Sequence, residues 1–203
     1  MTKIKICGMM RTSDIDAVNE YLPDYCGFVL SRPFRRYVSR EAAKHMKSLL
    51  DDRIKAVGVF VDTPPDEAAS YVEDGIIDII QLHGHEDEGY IRILRGLTDA
   101  PIFKAFQIKN EQDIKWAQQS TADMVMLDNG TGSGQTFDWT LIRDIGRPFA
   151  LAGGLNEKNV ADAIKRFSPE IVDISSGAET NGMKDPEKIK MIIGEVRNDK
   201  TRV

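Results

Sequence analysis

Residues 148–175 read PFALAGGLNEKNVADAIKRFSPEIVDIS. Two short apolar runs, Pro148–Ala152 and Ile171–Ser175, flank a longer amphipathic run, Glu157–Phe167. The first pattern suits strands and the second a helix. Asn156 stands immediately before Glu157, where an N-cap is expected. Strand, helix, strand in this order implies parallel pairing through a right-handed crossover. The same alternation extends toward the N-terminus. Apolar, β-branched runs predict strands at Lys3–Cys7, Cys26–Leu30, Lys55–Val61, Asp78–Leu82, Ile102–Phe106 and Met124–Asp128. Helical stretches fall near Ser13–Tyr21, Arg40–Leu50, Asp66–Glu73, Glu86–Gly96, Glu111–Gln119 and Trp139–Ile145, and a last one at Pro186–Val196. Ser39 and Asp185 are placed to cap two of them, with Pro186 in a first turn. Eight strand–helix units predict a closed α/β barrel of the (β/α)8 TIM-barrel type, filling residues 1–203 as a single domain. An open doubly wound sheet would show fewer strands and a GxGxxG near its first turn, and the chain has no such motif.

Composition narrows the function classes. The 203 residues are 41% hydrophobic and 29% charged, with net charge −5. A chain of this size buries about 70% of its unfolded surface and needs no disulfide or metal to hold a core. The acidic balance argues against nucleic acid or a membrane surface as partner, since either calls for a basic patch. No apolar run reaches the roughly 20 residues of a membrane span. Cys7 and Cys26 form neither a CxxC pair nor a disulfide scaffold, which points to a reducing cytoplasm. The three histidines lack metal-ligand spacing, so no metal is expected.

Strand alternation sets a phase. With Ile4 and Ile6 against the helices, Lys5 and Cys7 point into the barrel. The same count turns Gln81, His83, Met124, Met126, Asp128, Asp173 and Ser175 inward, and Lys104 with them. Lys5, Lys104 and Asp173 are therefore expected in one charged, hydrogen-bonded layer beneath the catalytic face. The irregular stretches at 31–38, 129–137 and 177–184 all follow strands, which in a barrel puts them on that face.

Taken by themselves, the residues at the strand ends allow two readings each. Cys7 is a buried small hydrophobe or a functional thiol; Asp128 is a turn cap beside Asn129-Gly130 or an acid; the arginines at 32, 35 and 36 are a solvated basic loop or an anion site. The order of the motifs decides between them. KICGMMR at 5–11, RPFRRYVS at 32–39, QLHG at 81–84, LDNGTGSGQTFDW at 127–139, LAGGLNEKNV at 151–160 and DISSGAE at 173–179 together resemble the phosphoribosylanthranilate isomerase family, from Lys3 to about Val196.

That resemblance implies an Amadori rearrangement in tryptophan biosynthesis. N-(5′-phosphoribosyl)anthranilate becomes 1-(2-carboxyphenylamino)-1-deoxyribulose 5-phosphate by acid–base catalysis, with no metal and no cofactor. It makes Cys7 the general base at C2′ and Asp128 the general acid at the furanose oxygen. It places Arg36 at the anthranilate carboxylate and His83 at the substrate. The phosphate falls to Gly153 and Gly154 after the seventh strand and Ser176 and Gly177 after the eighth, where glycine backbone approaches closely and free N–H groups bind the dianion. A base that works as thiolate calls for a Cys7 pKa below the free value of about 8.5, with Lys5 helping to lower it. Gly132 and Gly134 would belong to a covering loop anchored by Asp138 and Trp139, and Gln135 stands where the family often has lysine. The expected partners are a small phosphosugar substrate and, as to assembly, a monomer or homodimer.

Overall fold

The structure is a computed structural model and describes residues 1–129, 138–142 and 145–198. Eight parallel strands close into a barrel in sequence order. They are β1 (Lys3–Cys7), β2 (Tyr25–Val29), β3 (Lys55–Phe60), β4 (Ile79–Leu82), β5 (Ile102–Gln107), β6 (Met124–Asp128), β7 (Phe149–Leu151) and β8 (Ile171–Ile174). The ring closes through β1 and β8, where Lys5 sits opposite Asp173. Around it run α1 (Thr12–Tyr21), α2 (Arg40–Leu49), α3 (Pro65–Glu73), α4 (Glu88–Arg95), α5 (Glu111–Gln119), α6 (Val160–Phe167) and α7 (Pro186–Arg197). Beyond β8 a two-residue hairpin pairs β9 (Glu179–Thr180) with β10 (Met183–Lys184).

Alternation along the strands makes two apolar layers. Ile4, Ile6, Phe28, Ile80, Leu82, Val125, Leu127, Val172 and Ile174 face the helices and form the larger core with residues such as Ile15, Met46 and Ile189. Cys26 lies in that layer, fully buried and away from the mouth. Inside the barrel, Val57, Ile79, Phe103, Ala105, Met126, Ala150 and Ile171 pack together. Bulky and small residues on neighbouring strands fill the taper, so the barrel is a packed core with its chemistry at the strand ends.

The caps follow side-chain chemistry. The Ser39 hydroxyl accepts from Ala42 N at 3.2 Å, and Asp185 accepts from Glu187 N and Lys188 N ahead of α7. Two expectations are corrected. The helix read from Glu157 begins three residues later, at Val160, with Asn159 at its N-cap. Asn156 instead accepts from Lys158 N at 2.9 Å, an Asx turn that uses the side chain before the helix starts. Between β6 and β7 the expected helix at Trp139–Ile145 is, among the described residues, a single 3-10 turn at Trp139–Leu141. Asp138 fixes that turn by accepting from the Thr140 N–H and hydroxyl, and Trp139 meets Phe167 edge-on at 5.6 Å between ring centres. Those contacts fit an anchoring role for Asp138 and Trp139. Gly132, Gly134 and Gln135 lie outside the described residues.

Lys104 is a third correction. Phe103 and Ala105 take the inward positions of β5, so Lys104 points to the helix side with Ile102. Its ammonium donates to Glu86 Oε2 at 2.9 Å and to the Gly84 carbonyl at 2.7 Å. The period of two gives an alternation but not its origin, and on this strand only the partner on the β4–α4 loop settles it. Of the three, only Lys5 and Asp173 meet in the inward layer, both side chains buried.

Candidate active site

Cys7 ends β1 and faces inward. Gly27 on β2 leaves it room: a Cβ at Gly27 would stand 2.7 Å from Cys7 Sγ. Directly below, Lys5 Nζ donates to both oxygens of Asp173 at 2.9 Å each. Burial pulls the Lys5 ammonium down, but Asp173 and then Cys7 outweigh it, and Lys5 stays cationic above its ordinary value. Cys7 itself runs against expectation. Burial pushes its thiol up; Lys5 pulls it back, and Asp173 pushes it up again, so the net direction is upward. The nearest cation is engaged by a carboxylate, which is why it does not win.

Asp128 ends β6 on the same inward face. Its Oδ1 accepts from Asn129 N at 2.7 Å and its Oδ2 lies 3.1 Å from His83 Nε2, across from β4. His83 follows β4 because Gln81 and His83 continue one face of that strand, and Gln81 Nε2 reaches His83 Nδ1 at 3.1 Å. Gly153, at φ +83°, closes on the other side, where a Cβ would stand 2.8 Å from Asp128 Oδ1. Asp128, His83 and the β7 loop are thus one contact group.

Arg36 reaches the mouth from the loop after β2, over Gly8. Gly8 has φ +86°, and any Cβ there would collide with Arg36 Cδ, so the residue after Cys7 must be glycine both for its backbone and for the arginine. Arg36 Nε and Nη2 donate to the two oxygens of Glu179 at 2.6 and 3.1 Å. The Nη1 edge of the guanidinium has no partner among the described residues. Arg35 also reaches Glu179, at 2.6 Å, but its side chain is 54% exposed against 13% for Arg36. Lys184 Nζ donates to Glu179 at 2.8 Å and to the Ser175 carbonyl, and Ser175 Oγ donates to the Cys7 carbonyl at 3.1 Å. Burial pushes the Glu179 carboxyl up, yet Arg36, Lys184 and Arg35 together hold it at about 2.

The loops after β7 and β8 meet at Gly177. A Cβ there would overlap the Leu155 carbonyl, so only glycine lets the loops touch. Gly154, at φ +70°, has its carbonyl tied by Asn156 Nδ2 at 3.2 Å and Asn159 Nδ2 at 3.0 Å. The N–H groups of Gly153, Gly154, Ser176 and Gly177 have no acceptor among the described residues. Four such donors on two half-buried loops in contact suit an anion.

Residues 4–195 match the family described as N-(5′-phosphoribosyl)anthranilate (PRA) isomerase. An enzyme of that name from Clostridium kluyveri is 47% identical over 207 residues, covering 98% of this chain and all of its own. The chain belongs to this isomerase family. Among solved structures, phosphoribosyl anthranilate isomerase from Thermotoga maritima superposes with TM-score 0.88 at 35% identity, over 97% of this chain and 99% of that one. A phosphoribosyl anthranilate isomerase structure in complex with reduced 1-(o-carboxyphenylamino)-1-deoxyribulose 5-phosphate superposes at 0.86, with 34% identity and the same coverage.

In this member of the isomerase family, the structure gathers Cys7, Asp128, His83, Arg36, Gly153, Gly154, Ser176 and Gly177 at the C-terminal rim of one barrel. Sequence reasoning assigned no role to Glu179, Gln81, Lys184 or Asn159. Glu179 closes the quoted DISSGAE motif, and its burial among three cations becomes visible only when the β9–β10 hairpin folds back on the β2 loop. Gln81 carried the clue of an amide at an inward strand position, where an apolar side chain is the default.

Proposed function

We propose that this chain isomerises N-(5′-phosphoribosyl)anthranilate to 1-(2-carboxyphenylamino)-1-deoxyribulose 5-phosphate with Cys7 as general base and Asp128 as general acid. Asp128 protonates the furanose oxygen, and its C–O bond to the anomeric carbon breaks to give the open-chain iminium. Cys7 thiolate removes the C2′ proton, giving the enolamine, which tautomerises to the aminoketose. Carbon, hydrogen and oxygen are conserved and electrons move within the substrate, so this aldose–ketose isomerisation balances with two proton-transfer groups and calls on no metal or redox cofactor. The observation that carries the reading is the placement of Cys7 and Asp128 at the ends of β1 and β6 on one mouth, beside backbone N–H groups after β7 and β8 that have no acceptor among the described residues.

The substrate has two anions to hold. The phosphate fits the free N–H groups of Gly153, Gly154, Ser176 and Gly177. The anthranilate carboxylate fits the Nη1–Nη2 edge of Arg36, which Glu179 leaves open while gripping the Nε–Nη2 edge. Glu179 therefore aims the guanidinium. His83, hydrogen-bonded to Asp128, binds at the ring-oxygen side of the substrate. A cytoplasmic location suits two unpaired cysteines. No described helix is long and apolar enough to cross a membrane. The working assembly is a monomer or homodimer, which sedimentation equilibrium separates.

The test is a fluorescence assay. Phosphoribosylanthranilate is generated in situ from anthranilate and phosphoribosyl pyrophosphate by the matching transferase, with EDTA present. Rapid loss of its fluorescence on addition of the protein is expected. No loss with folded protein moves the assignment to another phosphosugar.

A further inference from the structure

Gln81 is 1% exposed, points into the barrel from β4, and has an odd hydrogen-bond inventory. Its amide nitrogen lies 3.1 Å from His83 Nδ1 and 3.4 Å from Met126 Sδ. Its amide oxygen has no partner among the described residues. A buried amide that presents nitrogen to a ring nitrogen, with its oxygen idle, dictates where the ring proton is. An NH2 group only donates, so Nδ1 must offer its lone pair and the imidazole proton must sit on Nε2. That N–H points at Asp128 Oδ2, 3.1 Å away, and donates to it. In this arrangement both Asp128 oxygens accept, Oδ1 from Asn129 N and Oδ2 from His83, which suits a carboxylate with its proton already given.

The idle oxygen supplies the other arrangement. A half-turn of the amide sets Oε1 against Nδ1, where it accepts from an Nδ1–H. Loading the pair means that one proton from solvent adds at Nδ1, leaving His83 doubly protonated. Its Nε2 proton then passes to Asp128, and from Asp128 to the departing ring oxygen. The ring is left as the Nδ1–H tautomer, still matched by Oε1. One proton enters from water and one leaves on the substrate. His83 is reachable for this, with its side chain 30% exposed.

We propose that Gln81 is a positioning residue of the acid: the side of its amide turned to His83 sets whether the His83–Asp128 pair is held discharged or loaded. The inference rests on the reading of Asp128 as the acid. Other charged groups on the elements packed around the pair are engaged elsewhere. Lys104 on β5 and Glu86 before α4 bond each other, Lys5 and Asp173 pair beneath Cys7 on β1 and β8, and Asp62 after β3 holds His85.

The experiment is long-range proton–nitrogen NMR on histidine-labelled protein, which distinguishes protonated ring nitrogens from bare ones. There are only three histidines to assign. Ligand-free wild type near neutral pH is expected to carry the His83 proton on Nε2. Gln81→Glu, whose carboxylate accepts from Nδ1–H, is expected to protonate Nδ1 and to move the alkaline limb of kcat upward. Gln81→Met, which cannot donate, is expected to release the Nε2–H tautomer and lower kcat at least about tenfold while KM changes little. A wild-type His83 protonated on Nδ1, or two variants with unchanged tautomer and pH profile, overturns the proposal. The wild-type spectrum decides even if a variant fails to fold. The spectrum is also independent of turnover: an inactive wild type with an Nε2–H His83 refutes the reaction and leaves the tautomer assignment standing.

Discussion

Cys7 and Asp128 share one rim, but their surroundings act on them differently. Cys7 is buried above an ion pair whose cation is already engaged, and its thiol sits above the usual range. A raised thiol pKa means that the thiolate is a minority species near neutral pH and grows as pH rises. Alkylation of Cys7 by iodoacetamide should therefore accelerate steadily from pH 7 to beyond about 8.5, the value of a free thiol. A rate already level by pH 7 would show a thiolate held low. Cys26, buried against the helices with its pKa also pushed up by burial, should stay unmodified in the folded protein. The strand-end position of Cys7 was legible in KICG, and its inward phase followed once Ile4 and Ile6 were set against the helices. Its protonation was not, because Lys5 reads as a helper until Asp173 is seen opposite it, 168 residues away in sequence. Arg36 was legible in the same limited way: the motif order placed it at the carboxylate, whereas the structure distinguishes it from Arg35 by burial and by the edge each gives to Glu179.

At the scale of elements, the site depends on loops that touch. Gly177 packs against the Leu155 carbonyl, joining the loops that follow β7 and β8. Gly177→Ala must push them apart, disturbing the four N–H donors proposed to hold the phosphate. The expected outcome is a rise in KM of at least about tenfold with a smaller fall in kcat, since the phosphate is held alike in ground and transition states. Steady-state kinetics check this, and an unchanged KM would separate the phosphate from these loops. Strand positions were read from the sequence to within a residue or so, because buried parallel strands are near-continuous apolar runs with turn residues on both sides. Helix starts were harder. Asn156 looks like the cap, but its side chain is used in an Asx turn and the helix starts after Asn159. The stretch after β6 was read as helix from its apolar spacing, and Asp138 instead winds a single 3-10 turn there.

Across the whole molecule, charge clusters join segments distant in sequence. Lys5–Asp173 locks β1 to β8 at the seam of ring closure. Lys5→Met leaves a buried carboxylate without its partner, and should cost about 3–5 kcal/mol in urea unfolding. A loss under about 1 kcal/mol would contradict that role. Glu179 joins the β2 loop to the β9–β10 hairpin through three cations. Its folded carboxyl lies at about 2 against an ordinary 4.5, so the ionised form is favoured by folding. The stability this gives is complete above pH 4.5 and is lost as pH falls toward 2, a contribution on the order of 3 kcal/mol. Glu179→Gln should flatten that stretch of the stability curve and weaken the protein at neutral pH; an unchanged acid limb would show that the cluster contributes nothing. None of this was readable from composition, since net charge −5 says how many charges there are and not which of them meet.

The central claim is that one thiol and one carboxyl on opposite strands perform the isomerisation. The most direct measurement sets turnover beside binding in Cys7→Ser and Asp128→Asn: the fluorescence assay for phosphoribosylanthranilate loss, and titration calorimetry with the reduced product analogue. Each variant should bind the analogue within a few-fold of wild type while losing about 10²–10⁴-fold in kcat, the usual contribution of a positioned acid or base. Near-normal turnover in either variant would contradict the assignment of that residue, and near-normal turnover in both would contradict the mechanism.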